Sequence, residues 1–108
     1  MTRFSDTLDR LAATIAARKG ADPSSSYTAK LLAGGPHAAA KKLGEEAVET
    51  ALAAVSGDPE AVAAESADLI YHWLVLLAST GVDLDAVAAK LEAREGRSGI
   101  EEKAGRPA

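Results

Sequence analysis

Two short acidic clusters carry the most chemistry in this sequence. Glu45, Glu46 and Glu49 form an EExxE pattern, and Glu65 and Asp68 form an ExxD pattern after a spacer of 15 residues. At about 100° of rotation per helical residue, the three glutamates fall within one arc of roughly 100°, which Lys42 shares. The opposite arc carries Leu43, Ala47, Val48, Ala51, Leu52 and Val55. Glu65 and Asp68 lie one turn apart, and His72 follows one turn later on the same face. That face continues into apolar residues, Leu69 at its edge and Leu76 beyond, so its acids belong at the rim of a core. Acids there cost several kcal/mol unless they are paired or bind metal. Two adjacent antiparallel helices would bring both acidic faces together, with only Lys30, Lys41 and Lys42 as cations near in sequence. A divalent cation relieves that repulsion. Oxygen ligands, no Cys and at most one His point to Mg²⁺ or Mn²⁺ rather than zinc.

Each feature also has a plainer reading. Glutamates cluster on solvated helix faces because Glu is a good helix former, so EExxE alone says little. The second pair beside an apolar run is what favours a site. His72 can be a hydrogen-bonded satellite of the acids or a functional group. Tyr71 and Trp73 read as core or interface residues. Lys41 and Lys42 would ordinarily be a solvated pair, yet they stand one turn before the acids, where one of them can face a phosphate.

The elements that position these residues follow from periodicity. Phe4, Leu8, Leu11 and Ile15 step by four, three and four, which predicts an amphipathic helix over 4–19. Ser26 is the natural N-cap of a short helix over 27–33. Gly34, Gly35 and Pro36 then punctuate the chain, with Pro36 suited to the first turn of a third helix that reaches Val55. Asp58-Pro59 opens a fourth helix to about Ser79 or Thr80, and Asp83 caps a fifth from Leu84 to Glu95. We expect one domain over 1–96 and a polar, mobile tail over 97–108.

Composition agrees with an all-α fold of four to five helices. The chain has 108 residues, of which 25 are Ala and 12 are Leu, with few aromatics; Ala and Leu favour helix. This length holds one domain. A net charge of −4 argues against binding nucleic acid or an acidic membrane. The absence of Cys excludes disulfides, thiolate nucleophiles and iron–sulfur clusters. The opening MTRFSDTLDR has no apolar stretch like that of a secretory leader. The longest apolar run, Leu69 to Ala78, is interrupted by His72 and is too short to cross a bilayer. The expected location is the cytoplasm. That same run, LIYHWLVLLA, is apolar nearly all round and must be covered on every side. A second copy of the chain is the economical cover, giving a homodimer with a shared four-helix-bundle core.

The acidic spacing resembles the metal signature of the all-α nucleoside-triphosphate pyrophosphatase superfamily (MazG-like enzymes). The surrounding segments are narrower in kind. SYTAKLL at Ser26–Leu32, KKLGEEAVET at Lys41–Thr50, ADLIYHWLVLLA at Ala67–Ala78 and the following GVDLDAVAAKLEAR resemble the phosphoribosyl-ATP pyrophosphohydrolase family of histidine biosynthesis. The similarity runs from about Phe4 to Arg94 and leaves every acidic position intact; the tail SGIEEKAGRP is similar to that of longer members.

The resemblance implies a reaction: hydrolysis of the α–β phosphoanhydride of 1-(5-phosphoribosyl)-ATP to 1-(5-phosphoribosyl)-AMP and pyrophosphate. It implies Mg²⁺ held by Glu46, Glu49, Glu65 and Asp68, with Glu45 a further ligand or the group that orients the attacking water. A nucleoside triphosphate is repelled by bare carboxylates, and Mg²⁺ bridges the two. Direct attack by water needs no Ser, Cys or His nucleophile. Lys42, Lys30, Arg94 and Arg97 are candidates for phosphate contact, and His72 for substrate binding. Three other readings are a house-cleaning pyrophosphohydrolase acting on other nucleotides, a non-catalytic helical module, and a ferritin-like di-iron bundle. The last wants Glu-x-x-His pairs, which are absent here.

Overall fold

Four of the five helices begin at a side chain that accepts from a free amide of the first turn. In the computed structural model, which describes residues 2–96, Thr2 accepts from the Ser5 amide and Ser26 from the Ala29 amide. Asp58 accepts from the Glu60 amide and Asp83 from the Ala86 amide. Each cap of this kind stabilises its helix by about 1 kcal/mol. They open α1 (Arg3–Ala17), α2 (Tyr27–Ala33), α4 (Pro59–Thr80) and α5 (Leu84–Glu92). α3 (Gly35–Ser56) has no side-chain cap and starts where α2 ends. The described residues form an all-helical fold. The tail expected over 97–108, with Arg97, lies outside the described residues.

The ends differ from expectation by a few residues. α1 stops at Ala17 and α5 at Glu92, each going over into turns instead of continuing to Lys19 and Glu95. Helix termini fray in this way. The Gly34-Gly35-Pro36 stretch is a corner between two abutting helices. A Cβ on Gly34 would lie 2.7 Å from that of Ala38, so the corner closes only with glycine there. Gly57, at φ 79°, reverses the chain in the left-handed conformation and lets α4 return along α3.

α3 and α4 form the antiparallel hairpin that dominates the fold. α1 lies along α4: Leu8 and Leu11 share a small cavity with Ala67 and Ile70, and Ala12 and Ala16 share another with Leu74, Leu77 and Ala78. Lys19 Nζ closes this contact by donating to the Ala78 carbonyl at 2.9 Å. The core is Ile15, Leu31, Ala39, Leu74 and Val75, joined by Leu8, Leu11, Ile70, Trp73 and Leu84. It therefore draws on every helix.

The expectation that α4 needs a second chain rested on its apolar girth. Within this chain α1, α2 and α3 already pack on it, leaving His72, Leu74 and Val75 buried and the rest of 69–78 half-buried. Among the exposed apolar side chains, three line one side of α3, where Val48, Leu52 and Val55 are 59%, 63% and 85% exposed. α3 turns Glu46 inward and Val48, Leu52 and Val55 outward. The full α4 is also longer than its most apolar run and is long and apolar enough to cross a bilayer. Glu65 and Asp68 in its middle oppose that placement, at about 3 kcal/mol for a charge at the bilayer centre.

Candidate metal centre

The hairpin register decides which acids meet. The Thr50 hydroxyl lies 2.7 Å from the Glu46 carbonyl of its own helix and 3.1 Å from the Glu65 carbonyl across the hairpin. Its single proton is shared between these two acceptors. Glu46, Glu49 and Glu65 accordingly converge, each offering a carboxylate oxygen within 4.8 Å of the others. Glu46 is buried, Glu65 half-buried and Glu49 exposed, so the cluster has a covered inner end and an open outer one.

Among the described residues, little positive charge accompanies this cluster. Lys42 Nζ is 3.9 Å from Glu46 and 3.9 Å from Glu45, a loose contact shared between two acids. One oxygen each of Glu46 and Glu65 is buried with no hydrogen-bond partner. Burial pushes the Glu46 carboxyl above its ordinary 4.5; the neighbouring Glu49 and the charge of Asp68 add to this, while His72 opposes it. Glu65 is raised first by burial, then by Glu49, Asp68 and Glu46. Three crowded carboxylates, two of them with a buried oxygen that has no donor, suit a hard divalent cation, which would occupy the place of the missing donors.

The other expected residues take varied positions. Asp68 is exposed and stands outside the trio, although its charge reaches both Glu46 and Glu65. Glu45 is exposed and faces Lys42. Lys30, on α2, and Arg94, just past α5, are exposed, and neither forms an ion pair among the described residues. His72 is 6% exposed. Its Nδ1 donates to the Asp68 carbonyl at 2.8 Å, and its Nε2 is buried without a partner. The ring stands edge-on to Tyr71, centroids 4.9 Å apart, and Tyr71 in turn hydrogen-bonds Thr28 on α2.

Thr50 is the residue that sequence reasoning passed over. Its signal was available: a hydroxyl four residues after Glu46 can return to that carbonyl. Nothing in the pattern indicated that the same oxygen also meets the facing helix.

A family model described as phosphoribosyl-ATP pyrophosphohydrolase matches residues 8–95. The phosphoribosyl-ATP pyrophosphatase of Caulobacter vibrioides (strain NA1000 / CB15N) is 71% identical over 104 residues, 96% of either chain. That of Caulobacter sp. (strain K31) is 66% identical over 107 residues, 99% of either chain. That of Parvibaculum lavamentivorans is 64% identical over 106 residues, 98% of this chain and 97% of the relative.

Proposed function

Because the chain belongs to the phosphoribosyl-ATP pyrophosphohydrolase family, we propose that its acidic hairpin is the Mg²⁺-dependent active site of that hydrolysis. The enzyme cleaves 1-(5-phosphoribosyl)-ATP between its α and β phosphates, releasing pyrophosphate and 1-(5-phosphoribosyl)-AMP, in the histidine pathway. The observation that carries the metal reading is the convergence of Glu46, Glu49 and Glu65 within 4.8 Å, with two carboxylate oxygens buried and unpartnered.

Glu46, Glu49 and Glu65 hold the cation, and Asp68 completes the set from the open side. A bound Mg²⁺ would supply charge to offset that of the triphosphate and a water of lowered pKa; Mn²⁺ would be a workable substitute. Glu45, beside the trio, orients the attacking water or adds a ligand. Lys42 stands at this face, and Lys30, Arg94 and Arg97 supply further cations for phosphate oxygens. We place the whole catalytic unit within residues 1–96 and its site of action in the cytoplasm.

The bare apolar stripe of α3 supports a homodimer. Val48, Leu52 and Val55 lie on the side of the helix opposite Glu46, so a second chain can cover them without closing the acidic site.

Incubation with 1-(5-phosphoribosyl)-ATP and Mg²⁺, followed by a pyrophosphate assay, tests the reading directly. Release that stops in EDTA and returns with Mg²⁺ is expected. Faster turnover of ordinary deoxynucleoside triphosphates, or full turnover without metal, would overturn it.

A further inference from the structure

We infer that Tyr27 is a stacking platform for the purine of the substrate, set beside the acidic hairpin at the distance that separates the base of a nucleotide from its phosphates. This deepens, and rests on, the hydrolase reading above.

The ring is held from behind. Tyr27 is the first residue of α2 and directly follows its cap, Ser26. The next residue, Thr28, hydrogen-bonds the Tyr71 hydroxyl of α4, which pins the start of α2 to the hairpin. The Tyr27 ring lies nearly parallel to that of half-buried Tyr71, with 18° between the planes and 6.4 Å between centroids. It also stands edge-on to buried His72 at 6.4 Å. With this backing, Tyr27 is still 53% exposed. A lone exposed aromatic needs no explanation. This one is backed by a second ring and fixed in direction, as a binding surface requires.

Its place along α4 sets what it can bind. His72 follows Asp68 by one turn and Glu65 by two, on the same face. At 1.5 Å per residue, its level lies about 6 Å beyond Asp68 and about 10 Å beyond Glu65 along the helix. Tyr27 lies beside it. In a nucleotide one ribose separates the α-phosphorus from the base, a span of the same order. With the phosphates at the acids, the base therefore reaches the level of Tyr27.

The other aromatics are committed elsewhere. The chain has four. Phe4 shares a cavity with Leu11, Ala67 and Ile70, and Trp73 shares one with Leu8 and Leu84. Both cavities are bounded by α1, whereas Tyr27 and Tyr71 form the pair beside His72. Every base has a π face, so such a ring adds affinity for the purine without reading its edges.

Three substitutions test the contact. Tyr27→Ala should raise the KM for 1-(5-phosphoribosyl)-ATP by about tenfold or more, the scale of one lost base–aromatic contact, with kcat within about twofold. The two products separate stacking from a general loosening of α2. As inhibitors, 1-(5-phosphoribosyl)-AMP carries the base and pyrophosphate does not. The inhibition constant of the first should rise with KM, and that of pyrophosphate should stay where it is. Tyr27→Phe keeps the ring and should remain within about twofold of the wild type in every constant. An unchanged KM in Tyr27→Ala overturns the inference. So does an equal rise in both inhibition constants, and so does a Tyr27→Phe as weak as Tyr27→Ala, which would place the role in the hydroxyl. If melting shows that Tyr27→Ala does not fold, Tyr27→Leu takes its place, keeping apolar bulk without a π face: a wild-type KM there overturns the inference. Wild-type pyrophosphate release with an unimpaired Tyr27→Ala removes the role of Tyr27 and leaves the hydrolase reading intact, whereas an inactive wild type removes both.

Discussion

The hydroxyl of Thr50 reaches from α3 to the carbonyl oxygen of Glu65 on α4, 3.1 Å away. This bond ties a side chain of one acid-bearing helix to the backbone of the other at the level of the acids. Thr50→Val keeps the shape and removes the bond. We expect a loss of about 1 kcal/mol, seen as a fall of roughly 5 °C in Tm for a chain of this size. Mg²⁺ affinity should fall with it, because the spacing of Glu46 and Glu65 is no longer fixed. An unchanged calorimetric titration would show that the register does not depend on this bond.

Glu49 is the exposed member of the trio and raises the carboxyl pKa of both others. Glu49→Gln removes one charge and keeps the shape. The metal-free variant should melt at or above the wild-type temperature, since repulsion has been relieved. Mg²⁺ should raise its Tm less than it raises that of the wild type, because a ligand stabilises through its affinity for the folded state. Hydrolysis should fall by orders of magnitude. A solvated glutamate with no ligand role would instead change stability by under about 0.5 kcal/mol and leave the rate alone.

The pH dependence of stability without metal has a definite sign. Glu46 and Glu65 hold their protons more tightly in the folded chain than at the ordinary 4.5. Above that value the folded state binds more protons than the unfolded one, so stability falls as pH rises. Their contribution is complete below about 4.5 and is lost as pH passes through the raised values. Melting in EDTA should therefore show a downward slope from these two groups. Mg²⁺ should flatten or reverse it near neutral pH, because the ion binds the deprotonated carboxylates. A slope unchanged by Mg²⁺ would count against these two acids as ligands.

Leu52 is 63% exposed on the outward face of α3. Leu52→Lys should leave the fold of the single chain intact and break the dimer. Light scattering should give at least twice 11.0 kDa for the wild type and about half that mass for the variant. The contrast is Leu74, 3% exposed in the core, where Leu74→Ala should cost about 2–5 kcal/mol. A wild type that stays monomeric at micromolar concentration would remove the dimer.

The helices were legible because their punctuation is chemical. Ser26, Asp58 and Asp83 cap where expected, and Pro59 and Gly57 bound the hairpin. The meeting of the two acidic faces was legible too, since period and spacing place Glu46, Glu49 and Glu65 on arcs that an antiparallel pair brings together. What covers α4 was not. Periodicity within a helix says that it is apolar all round, but whether α1 and α2 of the same chain reach it depends on the Gly34 corner and the path from Ala17 to Tyr27. Nor could spacing separate Glu46 from Glu45, neighbours in sequence of which one ends 8% exposed and the other with an exposed side chain. Their difference is set by the rotation of α3 about its axis, which the packing against α4 fixes.

The acidic cluster is closed at Glu46 and open at Glu49, and this has a consequence for the order of events in making the enzyme. With no ion present, the raised carboxyls keep their protons to a higher pH than ordinary glutamates, which lessens the repulsion within the closed hairpin. On the proposed reading, an ion would load from the open end, at Glu49, and displace protons from the buried carboxyls. A chelator reverses the exchange by the same route. On the proposed reading the ion enters a standing structure instead of nucleating the fold, and an emptied chain should regain its activity on simple addition of Mg²⁺, with no refolding step.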